Sequence, residues 1–123
     1  MSARKVLVVD DDPTIRDVLS AMLGFEGCEV EVASDGQSAI DAAKAMQPDV
    51  VLLDVMMPGL NGLEVCRLLK ADAHRAPKIV MVTAKSSVKD QALGLGAGAD
   101  AYLTKPFSPL QVLDLVGLEA GDR

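Results

Sequence analysis

At 123 residues, half of them hydrophobic and 24% charged, the chain has the size and make-up of one compact domain rather than a disordered or fibrous segment. A net charge of −6 and an aromatic content of 2% argue against direct nucleic-acid binding, which needs a basic face or stacking aromatics. Cys28 and Cys66 lack metal-site spacing and read as small buried hydrophobes. No apolar run reaches membrane-span length, and the first stops at Asp10 without forming a signal core, so a cytoplasmic chain is expected.

Apolar runs and amphipathic runs alternate along the chain. Val6–Val9 is a short unbroken run of the kind buried on both faces of a parallel sheet. Ile15, Val18, Leu19, Met22 and Leu23 then repeat at helical spacing. A short alternating stretch, CEVEVA at 28–33, reads as a second strand. Ala39, Ile40 and Ala43 mark a second helix. Val50–Leu53 is the third strand, and Leu63, Cys66 and Leu69 give the third helix its inner face. Ile79–Val82 is the fourth strand. Val88, Ala92 and Leu95 mark a fourth helix. Ala101–Leu103 is a weaker fifth strand, followed by a fifth helix from Ser108 to Glu119. Five βα units in this order make an α/β fold: a doubly wound parallel sheet with helices on both faces. One domain is expected, ordered over about residues 4–119, with 120–123 as a polar tail or the start of a linker.

In such folds ligands sit beyond the carboxyl ends of the strands. Asp10 and Asp11 follow the first run, Asp54 the third, Thr83 closes the fourth and Lys105 follows the fifth. These residues should converge. Carboxylates about 4 Å apart repel by roughly 4 kcal/mol per pair at an effective dielectric near 20, so a cation is called for. An all-oxygen set with few protein ligands suits Mg²⁺. Asp54 opens the loop VMMPGLNG, where a carboxylate beside a metal and Lys105 can attack phosphorus. Lys105 would offset charge on the transferred oxygens, and Thr83 could hydrogen-bond one of them. The third acidic residue, Asp12, precedes Pro13 and is expected to cap the first helix instead.

The segments VVDD (8–11), LLDVMMPGLNG (52–62), VTA (82–84), GAD (98–100) and YLTKPF (102–107) resemble, in order and spacing, the motifs of response-regulator receiver domains. The resemblance implies a flavodoxin-like sheet in the order 2-1-3-4-5. It also implies a two-component phosphorelay role, with Asp54 accepting a phosphoryl group from a histidine kinase or phosphotransfer protein. Mg²⁺ would be held by Asp10, Asp11, Asp54 and the Met56 backbone carbonyl. Thr83 and Lys105 would hold the phosphoryl group. Thr83 and Tyr102 would form the switch, and Lys105–Pro106 would be cis. Output would pass to an effector domain or target protein through the face of the fourth helix, fifth strand and fifth helix, with a homodimer possible. Such a chain is a signalling switch more than an enzyme. A Mg²⁺-dependent aspartyl-phosphate phosphatase would need a second acid two residues after Asp54, where Met56 stands. A phosphorylation-independent interaction domain would not need the full set.

Four further readings concern single features. GLGAGA at 94–99 matches a dinucleotide-binding pattern but follows a helix and leads into a strand, so it reads as a helix end and turn. His74, in the polar loop ADAHRAP, reads as solvated. Met56 and Lys85 flank the acceptor site, and Met56 offers no group to orient water, so slow self-dephosphorylation is expected. In the last helix Leu110, Val112, Leu113, Leu115, Val116 and Leu118 spread around most of the circumference, which predicts exposed apolar surface. Leu115 stands where winged-helix DNA-binding regulators usually carry an arginine for dimer ion pairs.

Overall fold

A computed structural model describes residues 4–57, 59, 61–72 and 76–117. Five strands and five helices alternate strictly: β1 Lys5–Val9, α1 Pro13–Phe25, β2 Glu29–Ala33, α2 Gly36–Met46, β3 Val50–Leu53, α3 Gly62–Asp72, β4 Lys78–Thr83, α4 Val88–Gly96, β5 Ala101–Thr104 and α5 Pro109–Val116. The strands form one sheet in the order β2-β1-β3-β4-β5, and every pairing is parallel. The doubly wound parallel sheet is the one the alternating runs predict, and its strand order is the one the family resemblance implies.

Alternation along each strand divides the interior in two. Leu7, Val9, Val51, Leu53, Ile79 and Met81 face α2 and α3, where Ala39, Ala43, Val65, Cys66 and Leu69 meet them. Val6, Val8, Val50, Leu52, Val80 and Val82 face α1 and α5, against Leu19, Leu23, Val112, Leu113 and Val116. Side chains such as Leu7, Leu52 and Ile79 are removed from water entirely. Each contributes roughly 1.5–3 kcal/mol of hydrophobic stabilisation. Strand β2 lies at the sheet edge, and its Val32 stays half in solvent.

The helix starts follow their sequence signals. Asp12 Oδ1 accepts the Thr14 N–H at 2.9 Å, with Pro13 in the first turn, so Asp12 is the cap the sequence predicts. Asp35 caps α2 through the Ser38 N–H. Asn61 Oδ1 accepts the Glu64 N–H at the head of α3. Ser87 with Asp90, and Ser108 with Gln111, form reciprocal capping boxes at α4 and α5. In GLGAGA, residues 94–96 end α4, Ala97 is its C-cap and Gly98 takes a φ of +111° ahead of β5.

The helices depart in places from what their apolar patterns alone suggest. The α4 stripe of Val88, Ala92 and Leu95 faces outward: Val88 is 86% exposed and Leu95 50%. The inward residue of α4 is Gly94. The reason is steric, because the Tyr102 ring occupies the space a larger side chain would need. In α1, Val18 likewise points out, while Leu19 and Leu23 go in. In α5, Leu115 packs against the core and Leu110 alone of the described apolar residues is strongly exposed. That helix ends at Val116, with Gly117 as a left-handed cap; Leu118 and Glu119 lie outside the described residues, as does His74. Cys66 is buried as expected, whereas Cys28 is only partly so.

Candidate functional site

Asp10, Asp54 and Lys105 each stand one residue beyond the end of a strand. Each is still tied to the neighbouring strand by its amide. Asp10 N–H donates to Ala33 O at 3.1 Å, Asp54 N–H to Val9 O at 3.0 Å and Lys105 N–H to Thr83 O at 2.8 Å. The ladder therefore sets the height and direction of all three side chains.

They converge as the sequence predicts. One carboxylate oxygen from each of Asp10, Asp11 and Asp54 lies within 4.8 Å of the others. Lys105 Nζ donates to Asp10 Oδ2 at 2.7 Å and to Asp54 Oδ2 at 3.1 Å. Asp10 and Asp54 are buried and Asp11 is exposed at the rim. Thr83 is buried at the end of β4, and its Oγ1 accepts the Lys85 N–H at 3.4 Å. The Lys85 carbonyl in turn accepts from Tyr102 Oη at 2.8 Å. A single residue thus lies between the two hydroxyls. The Lys105–Pro106 peptide is cis.

The electrostatics fit a cation. Three carboxylates share one ammonium, so one positive charge must serve three negative ones. Like charges about 5 Å apart repel by roughly 3 kcal/mol per pair at an effective dielectric near 20. Burial pushes the Asp10 carboxyl above its ordinary value, although the Lys105 and Asp12 hydrogen bonds pull the other way. Burial would lower the Lys105 pKa, but the bonds to Asp10 and Asp54 outweigh it and hold the ammonium above its ordinary value. The donors are all hard oxygens with one residue at the solvent rim, a set that suits Mg²⁺ with several waters retained. By contrast, burial raises the Cys66 thiol to about 11, so it stays protonated and inert.

Three residues matter to this geometry that were not among the predicted site residues. Gly62 lies against Asp54: a Cβ there would overlap the Asp54 carbonyl oxygen and sit 2.7 Å from Val55 Cα. Its N–H donates to Val55 O at 2.9 Å, tying the loop after Asp54 back on itself. Arg16 reaches back from α1 to donate to the Asp10 carbonyl at 2.9 Å. Gly94 faces the Tyr102 ring. The Asn-Gly pair before an apolar helix was the one available signal, and it marks a turn without naming what the turn must clear.

The family model for the response regulator receiver domain matches residues 6–117. The chain belongs to this family. As a receiver domain it is a module of two-component signalling. It is 46% identical over 110 residues to the DNA-binding response regulator MtrA of Mycolicibacterium smegmatis, a match covering 89% of this chain and 47% of that protein. The chain spans about half the length of the curated relatives it matches. Among solved receiver structures, the BeF3-activated DrrB receiver domain aligns with a TM-score of 0.85 at 34% identity, covering 94% of this chain and 95% of that one. Chemotaxis response regulator CheY4 of Vibrio cholerae aligns at 0.86 with 35% identity, covering 94% and 99%. Among the described residues of this receiver, no helix is long and apolar enough to cross a membrane.

Proposed function

We propose that this receiver domain accepts a phosphoryl group on Asp54 and uses it to switch between two conformations. The observation that carries this reading is the meeting of Asp10, Asp11 and Asp54 within 4.8 Å, with Lys105 bonded to two of them. A purely structural cluster would have little reason to gather that much like charge at one sheet edge.

In this reading the donor is a phosphohistidine of a histidine kinase or phosphotransfer protein. An Asp54 carboxylate oxygen forms the new P–O bond as the donor's P–N bond breaks, and the imidazole leaves with the electron pair and takes up a proton. Lys105, already on Asp54, offsets charge on the transferred oxygens. Asp10, Asp11, Asp54 and the Met56 carbonyl would hold Mg²⁺, whose contribution when bound is to neutralise phosphoryl oxygen charge. Thr83 then exchanges its bond to the Lys85 amide for one to the phosphoryl group. Tyr102, bonded to the same residue's carbonyl, responds to that exchange, and the two hydroxyls form the switch.

The output face would be α4, β5 and α5, where Val88, Leu93, Leu95 and Leu110 stand exposed. An effector domain or target protein would read it, with a homodimer as one form of output. Direct contact with nucleic acid would fall to another domain, since this one is acidic. The receiver unit would work in the cytoplasm beside its kinase.

Incubation with acetyl phosphate and Mg²⁺, followed by intact-mass analysis, tests the reading. One phosphoryl group should appear, and Asp54→Asn or chelation of Mg²⁺ should prevent it. Equal labelling of Asp54→Asn would overturn the assignment.

A further inference from the structure

Gly94 is buried in α4. A Cβ built on it would lie 2.7 Å from Tyr102 Cε2, 2.9 Å from Tyr102 Cδ2 and 3.5 Å from Met81 Cγ. The first two distances are well inside van der Waals contact, so a side chain at 94 and this ring position are mutually exclusive. The far end of the ring is fixed as well, by the bond from Tyr102 Oη to the Lys85 carbonyl at 2.8 Å. Gly96, in the same helix two residues on, has nothing within 4 Å of its would-be Cβ. Glycine is unfavourable in a helix interior. At 96 nothing sterically excludes a side chain, whereas at 94 the ring does.

We propose that Gly94 is a positioning residue for Tyr102: its missing side chain is the notch that admits the ring and so keeps the phenol on the Lys85 carbonyl. The consequence for signalling rests on the switch role given to Tyr102 above. The notch itself belongs to the unphosphorylated chain and can be tested without any phosphoryl chemistry. Burial also raises the phenol's pKa, with the Asp90 and Asp54 charges acting in the same direction.

The chain has one tyrosine and no tryptophan, so its phenol fluorescence and near-ultraviolet dichroism above the phenylalanine bands report this ring alone. Gly94→Ala is expected to lose the tyrosine dichroic band and to raise acrylamide quenching to that of a free tyrosine, with far-ultraviolet dichroism unchanged. Gly96→Ala is the same substitution in the same helix with open space around it and is expected to match the parent in both readouts. A Gly94→Ala protein with the parent's band and protection would overturn the proposal, and so would equal losses in Gly96→Ala. Should Gly94→Ala fail to fold, Gly94→Ala combined with Tyr102→Ala removes the clash and is expected to fold; failure of that rescue also overturns it. A separate arm adds acetyl phosphate and Mg²⁺ to the parent. If Asp54 is labelled there without any change in Tyr102 quenching, the switch role fails while the notch stands.

Discussion

Gly62 packs directly on the backbone of Asp54, so closely that even a methyl group at 62 would overlap the Asp54 carbonyl oxygen and come within 2.7 Å of Val55 Cα. Backbone cannot retreat as a flexible side chain can, because Asp54 N–H is bonded to Val9 O in the sheet. Gly62→Ala should therefore cost about 1–3 kcal/mol of stability, as overpacking does elsewhere. It should also displace Asp54 and slow phosphorylation from acetyl phosphate. Urea unfolding and intact-mass kinetics check both; a parent-like protein would mean that α3 can slide outward freely.

Asp11 and Asp12 are adjacent, yet their substitutions should separate cleanly. Asp11 contributes an oxygen to the acidic cluster, whereas Asp12 Oδ1 is engaged by the Thr14 N–H. Asparagine caps helices about as well as aspartate, so Asp12→Asn should stay within about 0.5 kcal/mol of the parent. It should phosphorylate almost normally. Asp11→Asn should lose most of the rise in Tm that added Mg²⁺ gives the parent, since a ligand stabilises only as far as it binds the folded state. Thermal melts across a Mg²⁺ series decide this, with equal responses in the two variants as the contrary result.

Asp100 gives a pH-dependent stability term away from the acidic cleft. Burial tends to raise its pKa, but hydrogen bonds from Lys70 at 2.6 Å and the Ile79 N–H at 2.8 Å, helped by the charges of Lys70 and Lys78, hold it below the ordinary value. A depressed folded pKa means stability that is present above the unfolded value of about 3.9 and lost as pH falls through the folded one. The side chain is 42% exposed, so solvent screening limits the gain to roughly 1 kcal/mol or less. Asp100→Asn should thus lower the urea midpoint near neutrality, and the gap should close below about pH 4. A gap constant with pH would point to lost packing instead.

Met56 is 56% exposed at the mouth of the cleft, with its N–H donating to Asp54 Oδ1 at 3.1 Å. A thioether cannot orient an attacking water. Met56→Asn keeps the backbone bond and adds a polar group there. The phosphorylated variant should lose its label about tenfold faster, equivalent to roughly 1.4 kcal/mol of barrier. An unchanged lifetime would show that water reaches Asp54 by another side.

Much of this molecule was legible because chemistry and topology coincide. Each of Val6–Val9, Val50–Leu53 and Ile79–Val82 lies within a strand, and the polar residue that follows each run is a candidate site residue. Parallel strands bring their ends to one edge, so the cluster followed from the fold class. The orientation of α4 was not legible, because helical periodicity reports an apolar stripe without saying which side it faces. Val88 and Leu95 fit the period as well as any core residue, but the ring of Tyr102 claims the inner side and leaves room only for Gly94. Gly62 and Gly94 act through an atom they do not have, and Arg16 acts by reaching back to a carbonyl six residues earlier. Neither role is named by composition or spacing, even where, as at Asn61–Gly62, a turn is.

The alternation that splits the interior in two also fixes where the chain can change length. Val6 and Val8 share one side of the sheet, Leu7 and Val9 the other, and the same parity holds in β3 and β4. Deleting or inserting one residue inside β1 or β3 would exchange these two sets and turn the carboxylate that follows toward the wrong side. Swapping valine for isoleucine there is a minor edit by comparison. Insertions and deletions in this lineage should therefore accumulate at the amino-terminal edge of the sheet, in the helix-to-strand connections farthest from Asp10 and Asp54, while the lengths of β1 and β3 stay frozen even as their side chains drift.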